Sequence, residues 1–401
     1  MSLSIKKTTE PVPKTQPKAL ATKIAEVAKT LSESGAIIAA LEKDKGVGLI
    51  MTGLQVPSVT RIATGVFEFD LATGGGFPRA RLSIIYGPES GGKTNICLRA
   101  AKVAQAGPEE CNKVVWVDLE HCFDPVWGEA HGLDLEKLIV VRPGYGEEAV
   151  DVLDALIRAD DVALIVVDSI AAVVAAKEVK QSTEAYDVGT SSLLIKRMCN
   201  KITVALTQEE RRGHAPAVVF INQTRMKIGV LFGNPETMPG GKTQLFAAAL
   251  IVRISAKNVI DKAVNPDMPA WKETECVIKK AKVPITASEF GYSMAMLPND
   301  RQSVGETASW TTVMGHLKAI GILAKADKGG GWTLLGVNYK TLVQIQDTYE
   351  AEDEFALQLQ GLVIEARSNS TFLVEPSIDK LVGNLGEPEQ VDANGTVAVT
   401  A

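Results

Sequence analysis

The chain has 401 residues, of which 46% are hydrophobic and 22% are charged, as is ordinary for a soluble globular protein. This length can bury a full core and leaves room for more than one domain. The sequence has no apolar run near the roughly 18 residues of a membrane span, and residues 1–18 lack the apolar stretch of a signal peptide. We therefore expect a cytoplasmic protein without a membrane partner.

The net charge of −6 argues by itself against a nucleic-acid partner, but the charge is unevenly distributed. From Asp347 onward, eleven acidic and two basic residues give −9, which leaves +3 for the rest of the chain. Such an acidic tail can compete with a polyanion for a basic surface, although a merely solubilising tail explains the charge equally well. The five cysteines show no CxxC spacing, and we interpret them as buried free thiols.

The two ends of the chain differ in composition from its middle. Residues 1–17 and 386–401 are polar and are predicted to be disordered. Between residues 18 and 41, apolar residues at helical spacing predict an amphipathic helix. Turn residues at 296–306 precede a small α+β region. We predict three parts: an N-terminal segment with an oligomerisation helix (1–62), a central domain (63–296) and a C-terminal domain with the acidic tail (297–401).

In the central part, short apolar runs alternate with helical patterns. The runs read as strands buried on both faces, and they are 82–86, 113–119, 164–168, 217–222 and 248–254. The helical segments are 94–105, 147–158 and 190–207, with a further one at 310–322. This alternation predicts an α/β fold, in which a twisted and mainly parallel sheet is flanked by helices. Ligands are expected beyond the carboxyl ends of the strands.

The most specific motif is a match to the P-loop pattern G-x-x-x-x-G-K-[ST] between the first strand and the first helix. It consists of Gly87, Pro88, Glu89, Ser90, Gly91, Gly92, Lys93 and Thr94, and Asn95 follows it. Glycines let backbone N–H groups surround a phosphate, and the helix adds the positive end of its dipole. Lys93 can reach the β and γ phosphates, and the Thr94 hydroxyl can bind Mg²⁺. The motif predicts a nucleoside triphosphate site, since a plain glycine-rich turn would not need this strand–helix context.

Two carboxylates follow apolar runs downstream of the P-loop. Asp168 ends the run 164–167, and a place beside the P-loop strand would let it hold Mg²⁺ together with Thr94. The alternative is an aspartate in an ordinary turn. Glu120 follows the run 114–119; if that strand neighbours the P-loop strand, Glu120 faces the γ-phosphate and can act as the general base. A solvated loop carboxylate is an equal alternative.

An amide ends the next apolar run. Gln223 can hydrogen-bond a γ-phosphate and rearrange without a change of charge. In the segment that follows it, basic, apolar and glycine residues interleave without strand or helix period, which is typical of a mobile loop. Arg225 and Lys227 can meet phosphates there, while Ile228 and Phe232 can touch bases. An ordinary surface loop is the alternative, at the cost of exposing several apolar side chains.

Together these motifs resemble the RecA-family DNA recombinases of bacteria and phages. The resemblance runs from about residue 63 to 290, and it is most specific at 63–65, 86–90, 118–121, 167–169 and 220–241. It implies ATP and Mg²⁺ as cofactors and a helical filament of identical subunits on single-stranded DNA. The implied activity is DNA-stimulated ATP hydrolysis coupled to homologous pairing and strand exchange with duplex DNA. Loader or single-strand-binding proteins would be further partners, in a bacterial or phage-infected cell.

The resemblance also implies roles for individual residues. The catalytic ones are Glu120, Lys93, Gln223, Lys280 and Lys282. The two last-named lysines would reach the ATP of the neighbouring subunit and stabilise the transferring phosphoryl group, although a solvated charge run is the alternative without the resemblance. Asp124 and Trp127 fall where the family contacts adenine, and Phe246 where it couples adjacent subunits.

For DNA binding, the resemblance implies two loops. The residues are Val188 and Gly189 in the first loop and Arg225, Met226, Lys227, Ile228, Phe232, Glu236, Gly240 and Gly241 in the second. The first loop departs from the family pattern, because Val188 stands where a methionine is usual.

Two other functions remain as alternatives. A ring-forming helicase on the same core would need an arginine finger and a different loop after Gln223. A scaffold that binds ATP only to assemble would not need the intact pair Lys93 and Glu120.

Overall fold

The structure is a computed structural model that describes residues 58–180, 189–226, 236–299, 301–326 and 330–371, with a few isolated positions before residue 58. The chain divides into two units, Met1–Ser58 and Val59–Ala401, and the description below concerns the second. The predicted disordered ends lie outside the described residues, as does nearly all of the helix predicted for 18–41, of which only Ile38 and Leu41 are described, both as helical. The limits of the three predicted parts stay a prediction.

Strands and helices alternate through most of the second unit. The strands are β1 (Arg61–Ile62), β2 (Phe77–Pro78), β3 (Leu82–Gly87), β4 (Lys113–Asp118), β5 (Leu138–Val141), β6 (Val162–Asp168), β7 (Ala217–Gln223), β8 (Arg225–Met226), β9 (Glu236–Thr237), β10 (Leu250–Val259), β11 (Trp271–Ala281), β12 (Glu289–Ala295), β13 (Leu323–Lys325), β14 (Trp332–Leu334) and β15 (Val337–Tyr339). The helices are α1 (Phe67–Thr73), α2 (Lys93–Gln105), α3 (Pro125–Ala130), α4 (Gly146–Ile157), α5 (Ala176–Lys180), α6 (Thr190–Arg212), α7 (Thr243–Ala247), α8 (Trp310–Ala319), α9 (Leu342–Ala351) and α10 (Asp353–Thr371).

The centre of the unit is an eight-stranded sheet in the order β12-β11-β10-β3-β7-β6-β4-β5. The six strands from β10 to β5 are parallel, whereas β11 and β12 add an antiparallel edge. The prediction of a mainly parallel α/β sheet is therefore confirmed. The antiparallel edge was not predicted, because the sequence of β11 contains neither a long apolar run nor a strict alternation of apolar and polar residues, although its burial alternates in the structure.

Two apolar layers hold the helices against the sheet. Neighbouring strand residues point to opposite faces, so Ile85 packs with Ile96 of α2, while Ile84 packs in the layer that contains Leu153 of α4 and Met198 of α6. These side chains are fully buried, and each such burial is worth about 1.5–3 kcal/mol. The sheet and its helices therefore fix the strand ends to which the functional groups are attached.

A third apolar cluster lies in the C-terminal part. Helices α8, α9 and α10 and the antiparallel sheet β13-β14-β15 surround Leu317, Leu334 and Leu359, and Phe67 of α1 packs into the same cluster. This confirms the small α+β region predicted after residue 306, although α9 and α10 were not predicted. In the part of the chain that the structure describes, no helix is both long and apolar enough to cross a membrane.

The thiols only partly match their prediction. All five cysteines are free, and Cys97, Cys199 and Cys276 are buried. Cys111 is half-buried and Cys122 is exposed, so the expectation of burial was wrong for Cys122. Cys122 lies in the loop after β4, where its neighbours line a cavity rather than a packed core.

Candidate nucleotide site and nucleic-acid interface

The P-loop connects the end of β3 to the start of α2. A Cβ on Gly87 would lie 1.8 Å from the carbonyl oxygen of Ile254 in β10, so only glycine fits beside that strand. Gly92 has a φ of 86° and is the N-cap of α2, a backbone conformation that glycine adopts without strain. The loop therefore ends in the unpaired N–H groups of a thirteen-residue helix, which is the arrangement that binds phosphate.

Lys93 is the first residue of α2 and is buried. Its Nζ donates to the carbonyl oxygens of Gly87, at 3.2 Å, and Pro88, at 2.5 Å. Burial lowers the pKa of Lys93, whereas the nearby charges of Asp168 and Glu120 raise it. The ammonium group of Lys93 therefore lies inside the loop, where a bound phosphate would also lie.

The order of the strands corrects one expectation about Asp168. Strand β7 lies between β3 and β6, so Asp168 does not end a strand beside the P-loop strand. It nevertheless meets the P-loop, because α2 crosses the sheet from β3 toward β6 and the Thr94 Oγ1 donates to Asp168 Oδ2 at 3.2 Å. Burial, and then the negative charge of Glu120, raise the pKa of Asp168 to about 6.

The expected position of Glu120 is also corrected. It was predicted to face the γ-phosphate if β4 neighboured β3, but both β7 and β6 lie between these two strands. The carboxyl ends of parallel strands share one edge of the sheet, however, and the Glu120 side chain reaches back along that edge. Its Oε1 accepts a hydrogen bond from Gln223 Nε2 at 3.1 Å and another from Ser169 Oγ. Glu120 is therefore part of a polar cluster beside the P-loop rather than a solvated loop carboxylate.

A buried carboxylate fixes the loop that contains Glu120. Asp118 ends β4, and its Oδ1 accepts from the N–H of Cys122 at 3.0 Å. Its Oδ2 accepts from the N–H of Phe123 at 3.2 Å and from Arg142 Nε at 3.1 Å. The sequence analysis included Asp118 and Ser169 only within the ranges 118–121 and 167–169 and assigned neither a role; the partners Arg142 of Asp118 and Glu120 of Ser169 are distant in the chain.

A cavity of about 380 Å³ opens between this loop and α2, which is within the size range of small-molecule sites. It is lined by Thr94, Leu98, Trp116, Glu120, Cys122, Phe123, Asp124, Trp127 and Asp168. Asp124 is the N-cap of α3, and its Oδ1 accepts from the N–H of Val126 at 2.9 Å. The two residues expected to contact adenine, Asp124 and Trp127, therefore share one cavity with the expected Mg²⁺ ligands.

Only the two ends of the second loop are described. Lys227, Ile228 and Phe232 lie outside the described residues, as does Val188 of the first loop. Arg225 and Met226 are exposed, and they form β8, which pairs with β9 at the other end of the loop.

Glu236 of β9 has a defined partner inside the chain. Its two carboxylate oxygens accept from Arg253 Nε at 2.9 and 2.8 Å, and Oε1 also accepts from Thr224 Oγ1 at 3.2 Å. These contacts hold the base of the loop to β10. The expected contact of Glu236 with DNA stays a prediction.

The exit of the loop is held by two buried amides. Asn222 Nδ2 donates to Gln244 Oε1 at 3.0 Å and to the carbonyl of Pro239 at 3.2 Å. Gln244 Nε2 donates to the same carbonyl and to that of Gly241 at 3.3 Å. Both Gly240 and Gly241 have positive φ, as does Gly189, the N-cap of α6. This amide pair was not predicted from the sequence, because its two members are 22 positions apart in the chain.

Comparison with known proteins agrees with these features. The family model described as the RecA N-terminal domain matches residues 32–294. Curated proteins named Protein RecA are similar to the chain: that of Oceanobacillus iheyensis is 35% identical over 247 residues, which cover 61% of this chain and 68% of the relative. That of Thermotoga neapolitana is 34% identical over 301 residues, covering 70% and 82% respectively. That of Thermus aquaticus is 35% identical over 252 residues, covering 62% and 72%.

The chain belongs to the RecA family. It is thus a P-loop, DNA-dependent ATPase and an ATP-dependent DNA recombinase, of a family known to form filaments and to exchange DNA strands. This excludes the ring helicase and the scaffold as readings of the sequence. The family also implies nucleotide binding, DNA binding and self-association.

The two lysines that the RecA resemblance assigned to the neighbouring subunit lie far from the P-loop of their own chain. Lys280 pairs with Ile251 of β10, whose partner in β3 is Ile84, three residues before Gly87. That is about 10 Å along the strand and two strands across the sheet. Their own nucleotide cavity is therefore out of reach.

Both lysines contact helix α7 instead. Lys280 Nζ donates to the carbonyl of Leu245, and Lys282 Nζ donates to that of Phe246 at 2.6 Å. The Phe246 side chain is 71% exposed, which is unusual for a large aromatic residue in an isolated chain. An exposed phenylalanine beside two cations fits a surface that another subunit covers.

Proposed function

We infer that ATP binds with its phosphates on the P-loop and its adenine in the cavity beside Trp127. The support is that the P-loop and the cavity share residues. Thr94, the last residue of the P-loop motif, and Asp168, which accepts a hydrogen bond from it, both line the cavity. Lys93 would exchange its contacts with the Gly87 and Pro88 carbonyls for phosphate oxygens. The flat indole of Trp127 offers a π face to the base.

The residues present fit a magnesium ion. The hydroxyl of Thr94 and the carboxylate of Asp168 are oxygen donors, which Mg²⁺ prefers, and they lie next to the phosphate-binding loop. Among the described residues no group of three or more His, Cys, Asp and Glu side chains could hold a metal alone, so phosphate oxygens would complete the coordination. When bound, Mg²⁺ supplies positive charge to the phosphates.

Glu120 is the proposed general base. Both of its hydrogen bonds among the described residues end on Oε1, which leaves Oε2 to accept a proton from the attacking water. Ser169, directly after β6, and Gln223, the last residue of β7, hold the carboxylate in place. Lys280 and Lys282 of a neighbouring subunit are proposed to stabilise the transferring phosphoryl group, which places each ATP at a subunit junction.

The observation that carries the proposal is the 3.1 Å hydrogen bond between Gln223 and Glu120. Gln223 is the last residue of β7, and two residues later the exposed Arg225 begins the second loop. A γ-phosphate that attracts the Gln223 amide would move the start of this loop. The loop then orders on single-stranded DNA, and hydrolysis releases it.

This switch is tested by DNA-stimulated ATP hydrolysis. The measured quantity is the ratio of the hydrolysis rates with and without single-stranded DNA, and Gln223→Ala is expected to bring this ratio close to one. Gln208→Ala, on the far part of α6, is the matched control and should respond to DNA as the unaltered protein does. Full stimulation of Gln223→Ala would contradict the assignment of the sensor.

The same proposal sets the partners and the compartment. DNA binding is expected to depend on salt rather than on sequence, because Arg225 and Lys227 are proposed to bind phosphates of the DNA backbone. The subunits would form a helical filament through the face that contains Phe246. We expect the protein to act in the cytoplasm of a bacterium or a phage-infected cell, with loader or single-strand-binding proteins as further partners.

A further inference from the structure

The antiparallel edge of the sheet places a lysine next to the P-loop. Strand β3 ends at Gly87, but its neighbour β10 continues to Val259 and pairs there with the beginning of β11. Lys272, opposite Asn258, is therefore brought beyond the end of β3 to the side of the phosphate-binding loop. No role for Lys272 follows from the sequence.

Lys272 contacts the P-loop directly. Its Nζ donates to the carbonyl oxygen of Ser90 at 2.9 Å, and its Cδ lies 3.6 Å from the position that a Cβ on Gly92 would take. Ser90 has a φ of 55°, so this carbonyl belongs to a turn that a residue other than glycine rarely adopts. Lys272 therefore contacts the middle of the loop, whereas Lys93 contacts its beginning.

The charge of Lys272 is buried without a counter-charge. The residue is 8% exposed, and burial lowers its pKa. Lys93 has carboxylates nearby that offset its burial, but in the described parts of the chain no carboxylate forms an ion pair with Lys272. A buried ammonium with no counter-charge is costly unless an anion joins it. The adjacent feature built to hold an anion is the P-loop.

We propose that Lys272 is a second ammonium of the phosphate site, which positions the P-loop through Ser90 and adds its charge to the field that binds the nucleotide phosphates. The ligand class is a nucleoside triphosphate, and the inference rests on the proposed nucleotide site. It adds a residue on β11 that no motif in the sequence marks. The nucleotide would supply the counter-charge that the chain itself lacks.

Three substitutions separate charge from hydrogen bonding. Lys272→Gln keeps a donor for Ser90 but removes the charge, Lys272→Met removes both, and Lys272→Arg keeps both. The measured quantity is the dissociation constant of ATP and of ADP, obtained by titration calorimetry on the full chain without DNA. Lys279→Gln, an exposed lysine on the same strand, is the matched control for loss of one charge.

Loss of the charge is expected to weaken ATP binding about ten-fold in Lys272→Gln and at least as much in Lys272→Met. ADP, which has one charge fewer, should lose less. Lys272→Arg should bind ATP within about three-fold of the unaltered protein, and Lys279→Gln should not differ from it. Unchanged ATP affinity in Lys272→Gln, or an equal loss in Lys272→Arg and Lys272→Gln, would overturn the proposal.

Lys93→Ala, measured in parallel, separates failure of the role of Lys272 from failure of the nucleotide site itself. If Lys93→Ala loses ATP while Lys272→Gln does not, only the role of Lys272 fails. If Lys93→Ala also binds ATP normally, the nucleotide site itself is misplaced. Should Lys272→Gln or Lys272→Met not fold, the test uses Lys272→Arg, which keeps the charge. The ratio of its ATP affinity to its ADP affinity should then equal that of the unaltered protein, and a lower ratio would contradict a role of the charge.

Discussion

The amide of Gln223 and the carboxylate of Glu120 meet at 3.1 Å, although Gln223 ends β7 and Glu120 follows β4, and these strands are not neighbours in the sheet. One residue would sense the γ-phosphate and the other would activate water, so a single phosphate can act on both. The contact also lies directly before the exposed residues of the second loop. We propose that hydrolysis and DNA binding are coupled at this point.

Glu120→Gln should keep ATP binding and lose hydrolysis. The amide fills the same space but cannot accept a proton from water, and a general base typically contributes 10²–10⁴-fold to the rate. We expect the dissociation constant of ATP to change by less than about three-fold, while phosphate release with single-stranded DNA falls at least about 100-fold. Glu129→Gln, exposed on α3, is the control. Hydrolysis by Glu120→Gln at the normal rate would mean that another group is the base.

Lys93→Ala should abolish nucleotide binding at ordinary concentrations. Its ammonium is the cation at the beginning of the phosphate-binding loop, and hydrogen bonds to charged groups are worth about 1.5–3 kcal/mol each. Binding of a fluorescent ATP analogue is the measurement. Lys102→Ala, in the last turn of the same helix, should bind the analogue as the unaltered protein does. Normal binding by Lys93→Ala would be incompatible with a P-loop nucleotide site.

Arg225→Ala should weaken single-stranded DNA binding and leave ATP affinity unchanged. One phosphate contact fewer reduces the slope of log affinity against log salt by about 0.7 for single strands. Fluorescence anisotropy of a labelled oligonucleotide at several salt concentrations gives both the affinity and the slope. Lys262→Ala, exposed in the turn between β10 and β11, is the control. An unchanged affinity and slope would remove Arg225 from the DNA interface.

Subunits that lack Lys280 and Lys282 should complement subunits that lack Glu120. If the lysines act on the neighbour's ATP, the double variant Lys280→Ala, Lys282→Ala still offers an intact Glu120, and Glu120→Gln still donates its lysines. In a head-to-tail filament of an equal mixture, roughly a quarter of the junctions would be complete, so roughly a quarter of the activity should return. A mixture no more active than its two components would place the lysines in cis or outside catalysis.

Asp70 should make stability depend on pH near neutrality. Its carboxylate is buried, and its Oδ1 accepts from Thr64 N and Oγ1, both at 2.8 Å. Burial raises its pKa from 3.8 to about 7. Between these values the folded chain binds more protons than the unfolded one, so this group stabilises the fold most at low pH and loses that contribution as pH rises from about 4 to 7.

The measurement is urea denaturation of the unaltered protein and of Asp70→Asn across this range. Relative to Asp70→Asn, the free energy of unfolding of the unaltered protein should fall as pH rises, and the difference between the two proteins should be constant above about pH 8. A difference that does not vary with pH would show that Asp70 titrates alike in both states.

The parts predicted from sequence are those that short-range patterns determine. The P-loop and the five buried strands follow from glycine spacing and from continuous apolar runs such as 164–167. The order of the strands depends on distant pairings, and so Asp168 was placed beside β3 when β7 lies between them. The sequence of the half-polar strand β11, WKETECVIKKA, has neither a long apolar run nor a strict alternation of apolar and polar residues, so neither the strand nor Lys272 was predicted.

The most direct test of the account is the affinity for a labelled single-stranded oligonucleotide, measured with a non-hydrolysable ATP analogue, with ADP and without nucleotide. If the Gln223–Glu120 contact couples the γ-phosphate to the second loop, binding is tight with the analogue and weak in the other two conditions. Equal affinity in all three would contradict the coupling.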